Sequence, residues 1–203
     1  GADALELNIA PFPASAGIES KEVEDSVVSI VRNVSVRTKL PIAVKLGQNY
    51  TNLFSLTERL SGAGAKAVVL FNRFYRFDFD LDNMNLKAGP FRSSRDEYHE
   101  SLRWVSNLYG AVSCQLCGGT GIHSAETALK FIAGGAQTVQ VCSMLYSGGW
   151  KVLSNLILDL SERMDALGLA SLDQLRGKLA RRSASQKDRY ERLQYIKALT
   201  GLS

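Results

Sequence analysis

Two short glycine- and hydroxyl-rich stretches carry the first chemical signal in these 203 residues. Gly118-Gly119 follows an apolar segment ending at Leu116-Cys117, and Cys142-Ser143 follows Thr138-Val139-Gln140-Val141. Glycine after a strand lets backbone N–H groups approach an anion, and the next helix adds a favourable dipole. Two such rims in succession suggest a phosphate-bearing ligand; as backbone geometry alone they are a pair of tight turns. Lys45 sits near the end of an otherwise apolar strand. An ammonium there can stabilise negative charge on a bound ring or snorkel outward. Asn8 and Asn72 hold the equivalent position on their own strands. A carboxamide there offers donor and acceptor to a planar heterocycle, or caps a turn.

Other reactive residues form no constellation. Cys114 and Cys117 have redox-motif spacing, but on an extended strand residues three apart point to opposite faces. They read as two packed thiols rather than a disulfide or metal pair. His99 falls within a helix, at the surface or in packing, and His123 follows the glycine loop, where it can approach a phosphate. There is no Ser/His/Asp arrangement and no metal-ligand spacing, so no metal is expected.

The elements that must position these groups alternate. Strands are expected at Ala4 to Asn8, Ile42 to Leu46, Ala67 to Asn72, Ala111 to Leu116 and Thr138 to Cys142. Helices are expected at 20–36, 52–61, 94–109, 125–133, 150–167, 171–179 and 186–199. Pro11-Phe12-Pro13 breaks the first unit. Arg76 to Asp82 alternates with period two and reads as a short hairpin with one wet face; its Phe/Asp alternation also allows a cation site, though without convergent oxygens. Five βα units in series mean a parallel sheet covered by helices. A doubly wound sheet and a barrel both satisfy that pattern, and in either the loops after the strands form the functional rim.

Composition sets the outer limits. With 45% hydrophobic and 22% charged residues, the chain is neither disordered, collagen-like nor a small disulfide scaffold. Its length falls short of the roughly 250 residues of a complete (β/α)8 barrel. Residues 1–175 hold 16 basic and 18 acidic side chains; residues 176–203 hold 8 basic and 2 acidic. The basic end reads as a solvated helix face rather than a nucleic-acid site. Three cysteines in an odd count favour a reducing compartment, hence the cytoplasm. No run reaches the ~18 apolar residues of a membrane span, and no signal peptide is visible, although the chain starts at Gly1 without a methionine.

Taken in order, Gly1-Ala-Asp-Ala-Leu-Glu-Leu-Asn8, Ile42-Ala-Val-Lys45, Val69-Leu-Phe-Asn72, the Gly118-Gly119 loop and Thr138-Val-Gln-Val-Cys-Ser-Met-Leu145 resemble the dihydroorotate dehydrogenases. The resemblance runs to about residue 176 and implies a (β/α)8 TIM barrel that binds FMN. The chain then covers about the last five βα units, the family's fourth to eighth strands, as residues 1–175. Residues 176–203 form a basic helical extension of the same domain. The first three strands are expected in a longer protein or a second chain, since bare sheet edges invite association; a homo-oligomer is expected. The implied activity is hydride transfer from a dihydropyrimidine-like ring to FMN, with a small pyrimidine-like substrate and no nucleic acid.

By position, Lys45 matches the lysine at the flavin ring's polar edge and is the one residue with an implied catalytic role. Asn72 matches an asparagine touching flavin and substrate, and Asn8 a substrate-binding asparagine. Gly118, Gly119, Cys142 and Ser143 match the phosphate cradle. Ser93 and Ser94 fall where the family has a glycine-rich flavin loop, and Ser94 is assigned to the cofactor. Two departures bear on chemistry. Pro11 stands where the family has its Cys or Ser base, and proline cannot accept a proton; Pro13 replaces a further asparagine. Ser15 and Ser20 lie nearby without supporting spacing. Arg73 replaces a small polar residue. Oxidation of dihydroorotate itself is therefore not expected. A non-catalytic, phosphate-binding partial barrel acting through assembly is the alternative, and a sugar-phosphate lyase or synthase barrel a third.

Overall fold

The computed structural model describes residues 1–183. Five strands form one parallel sheet: β1 (Leu5–Asn8), β2 (Ile42–Leu46), β3 (Ala65–Leu70), then β6 (Gln115–Gly118) and β7 (Thr138–Val139), in that spatial order. Between β3 and β6 the chain makes an antiparallel hairpin, β4 (Phe77–Asp80) and β5 (Asn85–Ala88). The helices are α1 (Ser20–Ser35), α2 (Leu53–Gly62), α3 (Tyr98–Leu108), α4 (Ala125–Gly134), α5 (Ser143–Gly148) and α6 (Lys151–Ala166).

Alternation within each strand decides what each face does. Ile42, Val44 and Leu46 of β2 are buried, and pack in one core with Val27 and Val31 of α1 and Leu53, Leu56 and Leu60 of α2. Glu6, Ala43 and Lys45 alternate with those apolar positions. Gln140 follows β7 directly, yet its Nε2 donates to Glu6 Oε2 at 2.5 Å, and Lys45 Nζ donates to Gln140 Oε1 at 2.9 Å. β1 and β7 are the two outer strands. In a flat sheet, four inter-strand spacings would separate them by about 19 Å. Side-chain contact between them requires the sheet to curl, with the polar residues inside the curve. This is the curvature of a partial (β/α)8 barrel.

Caps fit the sequence. Asn52 accepts from the Ser55 N–H at the start of α2, Ser124 accepts from Thr127 N–H at the start of α4, and Gly135 ends α4 with a left-handed backbone.

Several boundaries differ from expectation. Residues 111–113 do not join the sheet: Ala111 N–H turns back onto Leu108, and Ser113 gives both N–H and hydroxyl to the Glu58 carboxylate. The strand is therefore Gln115–Gly118. α3 begins at Tyr98 rather than Ser94, because Ser94 N–H donates to Glu97 Oε1 in a separate turn. β3 ends two residues before Asn72. β7 has two residues, since the chain turns into α5, a helix with no counterpart in the expected elements. Both faces of the hairpin are exposed, with Phe77, Phe79 and Leu86 all more than 60% accessible, so the expected single wet face is corrected. The helix expected at 171–179 is a single 3-10 turn, Leu172–Gln174. Beyond it Gly177 and Leu179 donate their N–H groups to Ile132 and Ala133 of α4, not to their own segment. The helix expected at 186–199 lies outside the described residues. No helix among the described residues is long and apolar enough to cross a membrane.

Candidate functional site

The carboxyl ends of the strands open into a cavity of about 400 Å³. Lys45, Asn72 and Arg73 line one part, Gly119 and Gly121 the next, and Cys142 and Ser143 the far rim. The sheet's parallel order brings these four strand ends and following loops together although they span about a hundred residues of the chain.

At the inner end, Lys45 lies 3.8 Å from Glu6 Oε1 as well as on Gln140. Its ammonium is thus pinned at the floor of the cavity rather than snorkelling away. Asn72 donates through Nδ2 to Asn8 Oδ1 at 2.9 Å. That bond leaves the Asn72 carbonyl oxygen and the Asn8 amide nitrogen for a ligand.

At the rim, the glycines differ in what they do. A Cβ on Gly118 would sit 2.3 Å from the buried Phe131 ring, and Gly118 is not among the cavity-lining residues. Its carbonyl accepts from Gln140 N–H. Gly119 does line the cavity. So does Gly121: its φ of +74° is left-handed, and an added Cβ would lie 2.4 Å from the Tyr98 nitrogen, so there is no room for a side chain. Thr120 has a positive φ of 67° and is held by its hydroxyl on the Phe71 carbonyl at 2.9 Å. Among the described residues, the backbone N–H groups of Gly121, Cys142 and Ser143 have no protein acceptor. Unpaired N–H groups beside a cavity suit an anion such as a phosphate. This donor set, with Lys45 at the other end, fits the elongated, phosphate-ended FMN implied by the sequence.

Ser93 lines the cavity, whereas Ser94 spends its N–H on Glu97. Arg73 lines the cavity with its donors engaged by protein: Nε donates to Glu97 Oε2 at 2.8 Å, and Nη1 donates to the Phe91 carbonyl at 3.2 Å. Burial alone would raise the Glu97 carboxyl. Arg73, the Ser94 N–H and Arg76 outweigh it and hold the group below its ordinary value. Neither Arg73–Glu97 nor the part played by Gly121 was evident from sequence; the Gly-Thr-Gly spacing after the strand is the one available signal.

Pro11 lies beside this cavity, in a groove of about 660 Å³ with Phe12, Pro13, Tyr50, Phe74 and Tyr75 among its walls. Ser20 also lines that groove, and Ser15 accepts from Gly17 N–H. Cys114 and Cys117 are free and buried; burial pushes Cys114 up to about 11 and raises Cys117 as well. Cys142 is free and exposed. His99 stacks on Tyr98 and bonds Asp96, away from the cavity lining, and His123 lies 3.1 Å from Ser93 Oγ. No group of three or more potential metal ligands occurs among the described residues.

The dihydroorotate dehydrogenase family model matches residues 1–164. The chain is 30% identical over 182 residues to the dihydroorotate dehydrogenase B (NAD(+)) catalytic subunit of Desulforudis audaxviator, covering 87% of this chain and 59% of that protein. The protein of the same name from Listeria monocytogenes is 27% identical over 180 residues, covering 85% and 58%. That from Geobacillus kaustophilus is 28% identical over 179 residues, covering 86% and 57%. The chain thus spans under three-fifths of the length of these relatives. The stretch in common with them contains every strand of the curled sheet and both rims of the cavity, and the chain belongs to the dihydroorotate dehydrogenase family.

Proposed function

We propose that this chain supplies the phosphate-binding side of an FMN-dependent oxidoreductase that moves hydride between a dihydropyrimidine-like ring and the flavin. The observation that supports it best is the polarity of one cavity: Lys45 and Asn72, the latter bonded to Asn8, at one end, unpaired N–H groups of Gly121 and Ser143 at the other. FMN, when bound, supplies the hydride-accepting ring. Lys45 would sit at that ring's polar edge and stabilise added negative charge. Asn8 and Asn72 would hold the substrate ring by its amide-like edge. Gly121, Cys142 and Ser143 would hold the phosphate through backbone N–H groups, while Gly119, whose own N–H donates to the Leu70 carbonyl, would leave room beside them.

Pro11 removes the proton acceptor from the loop after β1, and the groove around it is apolar. The substrate is therefore read as a pyrimidine relative that needs no base at that loop, and not dihydroorotate. The same Pro11 supports the second reading, a phosphate-ligand-binding partial barrel that works through assembly with the strands or subunits that cover β1 and β7. We assign residues 1–175 to the barrel and treat 176–203 as its basic extension. The protein is read as a homo-oligomer of the cytoplasm, where its free thiols would stay reduced.

The test is the flavin content of the full-length protein and its reduction under anaerobic conditions. A yellow protein reduced by a dihydropyrimidine, but not by dihydroorotate, is expected. A colourless protein that assembles supports the second reading. Rapid bleaching by dihydroorotate would refute the role given to Pro11.

A further inference from the structure

The segment Phe91–Ser94 crosses the cavity mouth between the hairpin and α3, and it meets the far rim through Ser93. Ser93 N–H donates to Ser143 Oγ at 2.9 Å, and Ser93 Oγ lies 3.1 Å from His123 Nε2. Both serines line the cavity. The cations that line it, Lys45 and Arg73, are already engaged by Glu6 and Gln140 and by Glu97. Arg92, next to Ser93, reaches Ser147 Oγ at 3.3 Å and is not part of the lining, so among the lining residues an anion at the rim meets neutral donors. Ser143 Oγ already accepts the Ser93 N–H, which leaves its own O–H proton to give. Ser93 is in the same position only if His123 is the donor between them. If His123 Nε2 accepted the Ser93 proton, a lone pair would face the anion instead. Among the described residues neither serine hydroxyl donates to a protein acceptor other than that histidine.

We infer that His123 carries its proton on Nε2 and donates it to Ser93, so that the Ser93 hydroxyl, beside that of Ser143, is a donor to the ligand's phosphate. His123 is thus a positioning residue, acting through Ser93. This rests on the flavin reading above. Removal of one hydrogen bond to a charged acceptor costs about tenfold in affinity, and riboflavin, which lacks the phosphate, is blind to it.

The experiment measures FMN and riboflavin affinities by flavin fluorescence quenching, in the full-length protein and in S93A, H123L and H123Q. S93A should lower the preference for FMN over riboflavin about tenfold, and H123L, which keeps the Ser93 donor but removes the bond that orients it, should lower it by a smaller factor, with riboflavin affinity kept in both. The riboflavin value also reports that the variants are folded. H123Q should retain the preference, because its side-chain amide N–H replaces Nε2–H. H123L on top of S93A should cost nothing more. An unchanged preference in H123L, or additive losses in the double variant, overturns the inference. Equal affinity for FMN and riboflavin in the unaltered protein overturns it while leaving flavin binding intact. Binding of neither flavin refutes the flavin reading itself, and this inference with it.

Discussion

Gly118→Ala separates the two roles that a glycine after a strand can have. Gly118 ends β6, and an added methyl carbon there would lie 2.3, 2.7 and 2.8 Å from three atoms of the Phe131 ring. Phe131 is fully buried on α4, so the ring has nowhere to swing. Overpacking of this kind costs about 1–3 kcal/mol. For a chain of this length that is roughly 2–12 °C in Tm. Gly119→Ala is the control: its added carbon meets nothing closer than the Phe71 carbonyl oxygen at 3.4 Å, an ordinary contact. Thermal melts should therefore show a large drop for G118A and a small one for G119A. Any loss of FMN affinity should be larger in G119A than its melt accounts for. F131L should relieve G118A, giving a double variant more stable than the sum of the two changes predicts, with a coupling of about 0.5–3 kcal/mol. If G118A melts like the unaltered protein but loses the flavin, Gly118 serves the ligand directly and the packing argument fails.

Three further outcomes follow from the same contacts. The folded state favours the Glu97 carboxylate, so its contribution to stability is present above the ordinary carboxylate range. It is lost as pH falls through the depressed folded value. E97Q should flatten that part of the acid limb in urea titrations between pH 7 and 3 (about one carboxylate's share), and an unaltered limb would dismiss the Arg73–Glu97 pair as its source. Alkylation at mildly alkaline pH followed by mass spectrometry should find Cys142 modified first, because burial raises both Cys114 and Cys117; early adducts on either buried thiol would contradict their packing. Asn72→Ala breaks one side-chain bond to Asn8 at an exposed site, so it should cost under ~1 kcal/mol of stability yet weaken substrate reduction of the flavin. Undiminished reduction would remove Asn72 from the site.

How much of this was legible in sequence follows the range of the interaction. β2 and α1 were placed within a residue because their apolar periods are regular and their ends carry Pro41 and Ser20. The strand expected at Ala111 to Leu116 slipped because Val112 and its neighbours are apolar enough for a ladder. What keeps them out is Glu58, 55 positions earlier, which binds Ser113. The helix expected at 171–179 failed for a similar reason: α4 carbonyls compete successfully for the N–H groups of Gly177 and Leu179. Local pattern carries no trace of either partner.

The site divides along the same line. Lys45, Asn72, Gly119 and Ser143 all lie within four residues of the carboxyl end of a strand, and a parallel sheet must gather such positions on one rim. Once five βα units are recognised, their convergence follows from topology alone. The residues that shape the mouth come from elsewhere. Arg73 meets Glu97 across 24 positions, and Ser93 meets Ser143 across 50. Arg73 shows why residue type alone misleads there. Beside Asn72 it reads as a cation offered to substrate, but its Nε and Nη1 are spent on Glu97 and the Phe91 carbonyl. Its charge therefore braces the segment over the cavity instead of entering it. An anion would have to displace the Glu97 carboxylate to claim Arg73, so on the function proposed above the polar groups offered at that end are Lys45 and the neutral Asn72, which is bonded to Asn8.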